Sequence, residues 1–183
     1  MNPQTWWFVA RAGGLVAYAL LACTVVGGLL LSTHLLGRRP APDWVLDWHR
    51  FVGALTLVFT LVHVLAVLAD DYIAFRVIDL LVPGIAPWRP VALAWGVVGL
   101  YLLVAVQVTS LLRDRLPRPL WRRIHYLSMP LLLLASIHTL TAGSDVRNPA
   151  VAMLVGGALA TTALLVAFRV AWSDIAGRRA GHG

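Results

Sequence analysis

The sequence predicts an all-α integral membrane protein, one bundle of about five membrane-crossing helices. Three observations carry that reading. The 183 residues are 60% hydrophobic and only 13% charged, with a mean hydropathy of +0.79, a balance too apolar for a water-soluble domain. Five apolar stretches, residues 6–32, 44–69, 91–112, 120–142 and 149–172, each exceed the roughly 17 residues that a helix needs to cross a bilayer. Tryptophans 6, 7, 44, 48, 88, 121 and 172 fall at the ends of these stretches, the headgroup-level belt of a spanning protein.

The first stretch lacks a basic leader and is too long for a signal-peptide core, so it reads as a retained helix. It carries Arg11, the pairs Gly13–Gly14 and Gly27–Gly28, and Cys23. One cysteine excludes an intrachain disulfide and a cysteine-ligated cluster; Cys23 reads as a small packing residue. The second stretch carries His49, Arg50 and His63. The connection 70–90 follows, in which Tyr72, Ile73, Phe75, Val77, Ile78, Leu80 and Leu81 alternate with charges, as expected of a short amphipathic helix lying on the membrane. Pro83, Gly84, Pro87 and Pro90 end it and launch the third stretch. Gly96, Gly99 and the pair Gly156–Gly157 interrupt apolar runs, where small residues let a neighbouring helix or a flat group come close. The whole reads as a single transmembrane domain over residues 1–183. No space remains for a soluble nucleotide-binding domain, and no glycine-rich phosphate loop follows a strand.

The formal net charge of +7 does not point to nucleic acid, because of where the charge sits. Every basic residue is arginine. Arg113, Arg115, Arg118, Arg122 and Arg123 crowd the connection before the fourth stretch, Arg38 and Arg39 that before the second, and Arg178 and Arg179 the C-terminal tail. The alternate connections hold Arg76 and Arg89 among Asp70, Asp71 and Asp79, then Arg147 with Asp145. The positive-inside rule puts the N-terminus outside and the C-terminus in the cytoplasm of a multi-pass protein of the cell membrane.

Four histidines remain. His49 and His63 are 14 residues apart in the second stretch, and His125 and His138 are 13 apart in the fourth. At 1.5 Å per residue each pair spans roughly 20 Å along its helix, within a hydrocarbon layer about 30 Å thick. Ionisable groups at such depth mark functional sites. The second and fourth helices are entered from the same side and therefore run parallel, so His49 should face His125 and His63 should face His138. Matched neutral imidazoles suit axial ligation of haem iron, and two per iron give a low-spin electron-transfer centre. The expectation is two stacked b-type haems, that of His49 and His125 inner and that of His63 and His138 outer. Fourteen residues leave His49 and His63 within about 40° of one helix face, whereas thirteen leave His125 and His138 about 140° apart. Pro130 lies between the latter, and its kink is expected to re-aim one ring. Arg50, Arg122 and Arg123 are expected at the propionates of the inner haem, and Arg11 at those of the outer haem or at an anionic acceptor. His34 and His182 read as non-ligands.

With these residues in hand, the chain resembles the ferric reductase-like transmembrane domain family, a group similar to the membrane halves of NADPH oxidases and to the haem-binding membrane subunit of the bacterial methionine sulfoxide reductase system. The matching stretches are W-H-R-F-V-G-A-L-T-L-V-F-T-L-V-H from Trp48, L-L-V-P-G-I-A-P-W-R-P from Leu80, L-W-R-R-I-H-Y-L from Leu120 and I-H-T-L from Ile137. The resemblance implies a dihaem core of two haem b, ligated by the four histidines, passing electrons from a cytosolic flavin donor to an outside acceptor. It also matches Arg11 to an arginine near the outer haem. Relatives commonly have six spans, and the oxidases among them carry a fused flavin- and nucleotide-binding domain. Five spans and no such domain imply a separate flavoprotein or other cytoplasmic donor. The acceptor is left open between a ferric chelate, oxygen and an extracytoplasmic redox protein. The chain is thus expected to be an oxidoreductase component in contact with the lipid bilayer. The rival expectation is a haem-free assembly or transporter subunit whose histidines are structural.

Overall fold

The computed structural model describes residues 4–33 and 43–180, with side chains placed as far as residue 172. His34, Arg38, Arg39, Arg178, Arg179 and His182 lie outside these described residues or side chains. The elements in chain order are α1 (Thr5–Thr33), α2 (Asp43–Leu68), α3 (Val77–Leu81), α4 (Pro90–Leu111), α5 (Arg118–His125), α6 (Ser128–Ala142) and α7 (Pro149–Ala180). A single 3-10 turn, Arg113–Arg115, precedes α5. Among the described residues there is no strand. Five segments are long and apolar enough to cross a membrane: α1, α2, α4, α5 with α6 as one span, and α7 from Pro149 to Trp172. The all-helical, five-span expectation matches, with ends within about two residues. Past Trp172 the chain does not leave its helix but continues to Ala180.

Two antiparallel hairpins, α1 with α2 and α4 with α6, make up the body of the bundle, and α1 also touches α6 and α7. The core is the face of α1 formed by Tyr18, Leu21, Ala22, Val25 and Leu29, which meets Leu103, Leu131, Leu132, Val151, Val155 and Ala158. In its midst Ser136 donates to the Leu132 carbonyl at 2.8 Å, so the Tyr18 hydroxyl donates to Ser136 Oγ at 2.9 Å. Pairing of this kind is what allows polar side chains inside an apolar span. Val58, Leu61, Leu65, Val104, Val108, Met153 and Leu164 are exposed, as apolar side chains of membrane-spanning helices are. Cys23 is also exposed: it lies on the outer side of α1, not in the packing role expected of it. Gly156 and Gly157 have open space where a Cβ would be, so no helix packs against them.

The connection 70–90 holds less helix than its alternation suggested. Tyr72 is exposed, Ala74 takes a positive φ of 53°, and only Val77–Leu81 is helical. That turn is nailed down by Asp79, whose buried carboxylate accepts from the Arg76 backbone N–H at 2.9 Å and from its guanidinium at 3.1 and 2.8 Å. Tyr101 on α4 donates to the Leu81 carbonyl and ties the loop to the bundle.

The fourth span breaks between His125 and Ser128. Pro130 has no N–H for the Tyr126 carbonyl, which accepts instead from Met129 at 3.1 Å, while Leu127 donates to Ile124 at 2.9 Å. These i→i−3 bonds wind the chain at about 120° per residue instead of about 100°. Overwinding turns His125 and His138 in the sense that brings a 13-residue interval nearer to four whole turns. The expected proline effect is present, expressed as a tightened break three or four residues ahead of the ring.

Candidate functional site

The four histidines meet in the two predicted pairs. His49 and His125 have ring centres 6.2 Å apart with planes at 66°; His63 and His138 are 6.3 Å apart at 77°. The pairs therefore sit at opposite ends of two parallel helices, α2 and α5–α6, which share almost no packing with each other. Three of the four rings have a hydrogen-bond partner at Nδ1. His63 donates from Nδ1 to the Ala10 carbonyl at 2.6 Å, and His138 donates from Nδ1 to the Ala92 carbonyl at 2.9 Å. A carbonyl only accepts, so these Nδ1 atoms carry the proton and Nε2 keeps its lone pair. His125 Nδ1 lies 3.3 Å from Ser110 Oγ. His49 Nδ1 faces the Thr24 carbonyl without a bond of good geometry and is buried without a partner.

Glycines make room for these rings. A Cβ on Gly14 would stand 2.9 Å from His63 Nδ1, one on Gly96 2.8 Å from the His138 ring, and one on Gly28 3.1 Å from His49. Ser110 is the corresponding neighbour of His125. Gly14 and Gly28 are 14 residues apart, as are His49 and His63 on the antiparallel partner; Gly96 and Ser110 repeat that interval on α4. The facing carbonyls of Ala10, Thr24 and Ala92 each belong to the residue four before a glycine. Gly14, Gly28 and Gly96, read in the sequence among the points of close approach, are thus imidazole seats, and the signal was the shared interval.

The arginines have partners within the chain or lie exposed. Arg11 is gripped in a fork by Asp145 of the α6–α7 connection and lies over the Trp7 ring, so its first partner is internal. Arg50 pairs with Asp47 at 3.3 Å on the exposed face of α2. Arg122 and Arg123 are exposed and, with Arg118, Pro119 and Tyr126, line a shallow hollow beside His125. Two residues escaped the sequence reading. Trp121, taken as a belt anchor, stacks on the His125 ring at 5.1 Å with its Nε1 buried and unpartnered. Arg169, near the end of the α7 span, donates to Ser32 Oγ at 2.8 Å and to the Tyr126 hydroxyl at 3.3 Å, linking three elements next to His125.

Among the described residues no group of three or more His, Cys, Asp or Glu could hold a bare metal ion. The imidazoles come strictly in twos, which suits a metal whose other ligands arrive with a macrocycle. A metal–imidazole bond is about 2.0 Å and a ring nitrogen lies about 1.2 Å from its ring centre, so two imidazoles on opposite sides of one metal have centres roughly 6.4 Å apart. Both observed separations agree with that value to within about 0.2 Å. The donors present fit haem.

A multi-pass helical membrane protein with facing imidazoles at two depths is the class that fold and site define. The chain belongs to the family described as ferric reductase like transmembrane component, which it matches over residues 13–136. His49, His63 and His125 fall inside that match; Arg11 and His138 lie just beyond its two ends. Members of this family commonly bind haem and their likeness suggests transmembrane electron transfer. No curated protein and no solved structure matches the chain.

Proposed function

We propose that this chain carries electrons across the cell membrane through two b-type haems, one ligated by His49 and His125 and the other by His63 and His138. The observation that carries the reading is the pair of ring separations, 6.2 and 6.3 Å, each suited to one metal between two Nε2 atoms. The haems supply one-electron chemistry when bound. The chain supplies the rest. Nδ1 bonds fix tautomer and ring orientation, glycines seat the rings, and apolar helices keep water out. The arginine-rich end, with Arg122, Arg123, Arg50 and the buried Trp121 N–H, offers propionate partners to the inner haem. At the opposite end Arg11, already bound by Asp145, offers its remaining donors to the outer one. The arginine-rich end is read as cytoplasmic, receiving electrons from a flavoprotein or another donor on a separate polypeptide, and the acceptor is extracytoplasmic.

Purely structural histidines would account for the Nδ1 bonds, but not for two ring pairs set 6.2 and 6.3 Å apart across helices that otherwise share almost no packing. The purified chain is expected to show paired-imidazole b-type bands and about two haems by pyridine haemochrome. His49→Ala or His125→Ala should remove the inner haem, and His63→Ala or His138→Ala the outer one. Unchanged haem content in all four variants would refute the assignment.

A further inference from the structure

The four imidazoles are not held alike, and the difference divides by end. At the His63–His138 end both Nδ1 atoms donate to backbone carbonyls, at 2.6 and 2.9 Å. At the His49–His125 end the His49 Nδ1 faces the Thr24 carbonyl without good bond geometry, and the His125 Nδ1 lies at the long distance of 3.3 Å from a hydroxyl. Ser110 causes the second difference. It occupies the place on α4 that Gly96 occupies one repeat earlier, and its hydroxyl stands at His125 where the other rings meet a carbonyl four residues ahead of a glycine. The corresponding carbonyl, Val106, makes no bond to His125; the Thr109 hydroxyl, which donates chiefly to the Ala105 carbonyl at 2.7 Å, lies 3.2 Å from it.

A hydrogen bond from Nδ1 makes an imidazole a more basic ligand, and a more basic axial ligand stabilises ferric over ferrous iron, lowering the reduction potential. Two well-formed carbonyl bonds at one end, against one poorly aligned carbonyl and one long hydroxyl contact at the other, therefore act on the two centres unequally. Surrounding charge acts in the same sense. Arg11 is neutralised by Asp145 at the first end, while Arg122 and Arg123 form no ion pair among the described residues at the second. We infer that Ser110 is a positioning residue that splits the two centres, holding the His49–His125 haem at a higher potential than the His63–His138 haem. This inference rests on the ligation reading above.

The test is potentiometric reduction of the haem-loaded chain, followed at the haem α-band, with each wave assigned by its loss in His125→Ala or His138→Ala. Two waves are expected, the higher one vanishing in His125→Ala. Ser110→Ala, which takes away the hydroxyl, should move that wave further up and leave the other in place. Ser110→Gly, which lets the ring settle towards the Val106 carbonyl, should move it down and narrow the split. Two haems with a single shared potential, a reversed order, or a split unmoved by both Ser110 variants would overturn this inference and leave ligation standing. A chain that takes up no haem would overturn both.

Discussion

At the residue scale the site depends on atoms that are missing as much as on those present. Gly14, Gly28 and Gly96 have no side chain to contribute, yet an added Cβ at each would press on a histidine ring at 2.9, 3.1 and 2.8 Å. A ring clamped between a new methyl group and its partner imidazole must rotate off its carbonyl or move away from the metal position. Gly96→Ala and Gly14→Ala are therefore expected to lower haem content at the His63–His138 end while the other haem stays, as read by haemochrome and assigned by the histidine variants. Gly156→Ala is the control. Nothing lies within 4 Å of its added Cβ, so haem should be unchanged and the helix should gain up to about 1 kcal/mol in propensity. Outside the bundle, Arg76 holds the Asp79 carboxyl below its usual range, through its guanidinium bonds first and its backbone N–H second. A depressed folded value means the contribution is complete above the ordinary carboxylate range and fades as pH falls through the lowered one. Hydrogen-exchange protection of Val77–Leu81 should accordingly persist at neutral pH and drop in strong acid. In Asp79→Asn that acid-dependent step should be absent.

Among the elements, α1 has the widest duties. Its inner face makes the core with α4, α6 and α7, its glycines seat two histidines of α2, and its Arg11 reaches Asp145 beyond α6. That ion pair is half-buried, and hydrogen bonds to charged groups contribute about 1.5–3 kcal/mol. Removing one partner leaves the other uncompensated near the membrane surface, so Arg11→Ala and Asp145→Ala should each destabilise by about 2 kcal/mol. The double variant should cost clearly less than the sum, which a double-mutant cycle in detergent would measure. Additive losses would mean that the fork contributes nothing. The break in the fourth span is the other element-level device. Pro130 converts a 13-residue interval into one that serves two imidazoles, and Arg169 of α7 holds the adjoining Tyr126 hydroxyl from outside.

At the scale of the whole molecule, the described residues hold five candidate spans, and the positive-inside rule reads the arginine-rich end as cytoplasmic. Reporter fusions are expected to place residue 183 and the 112–123 connection in the cytoplasm, and the 70–90 connection outside. Replacing Arg113, Arg115, Arg118, Arg122 and Arg123 together should weaken that orientation. The helical class, the span positions, the family and the pairing of His49 with His125 and His63 with His138 were legible in the chain itself. Hydropathy and a helical rise of about 1.5 Å per residue act locally, and every residue they need lies within one segment. The partners of side chains were not legible in this way. Arg11 finds Asp145, Ser110 finds His125, Trp121 lies against His125 and Arg169 reaches Tyr126 only after helices distant in sequence have come side by side. Sequence alone therefore determined where the long apolar helices lie and how far apart along each of them its imidazoles stand. The tertiary structure decided what each imidazole leans on, because close approach depends on the mutual rotation and distance of packed helices, and neither is written in any one of them.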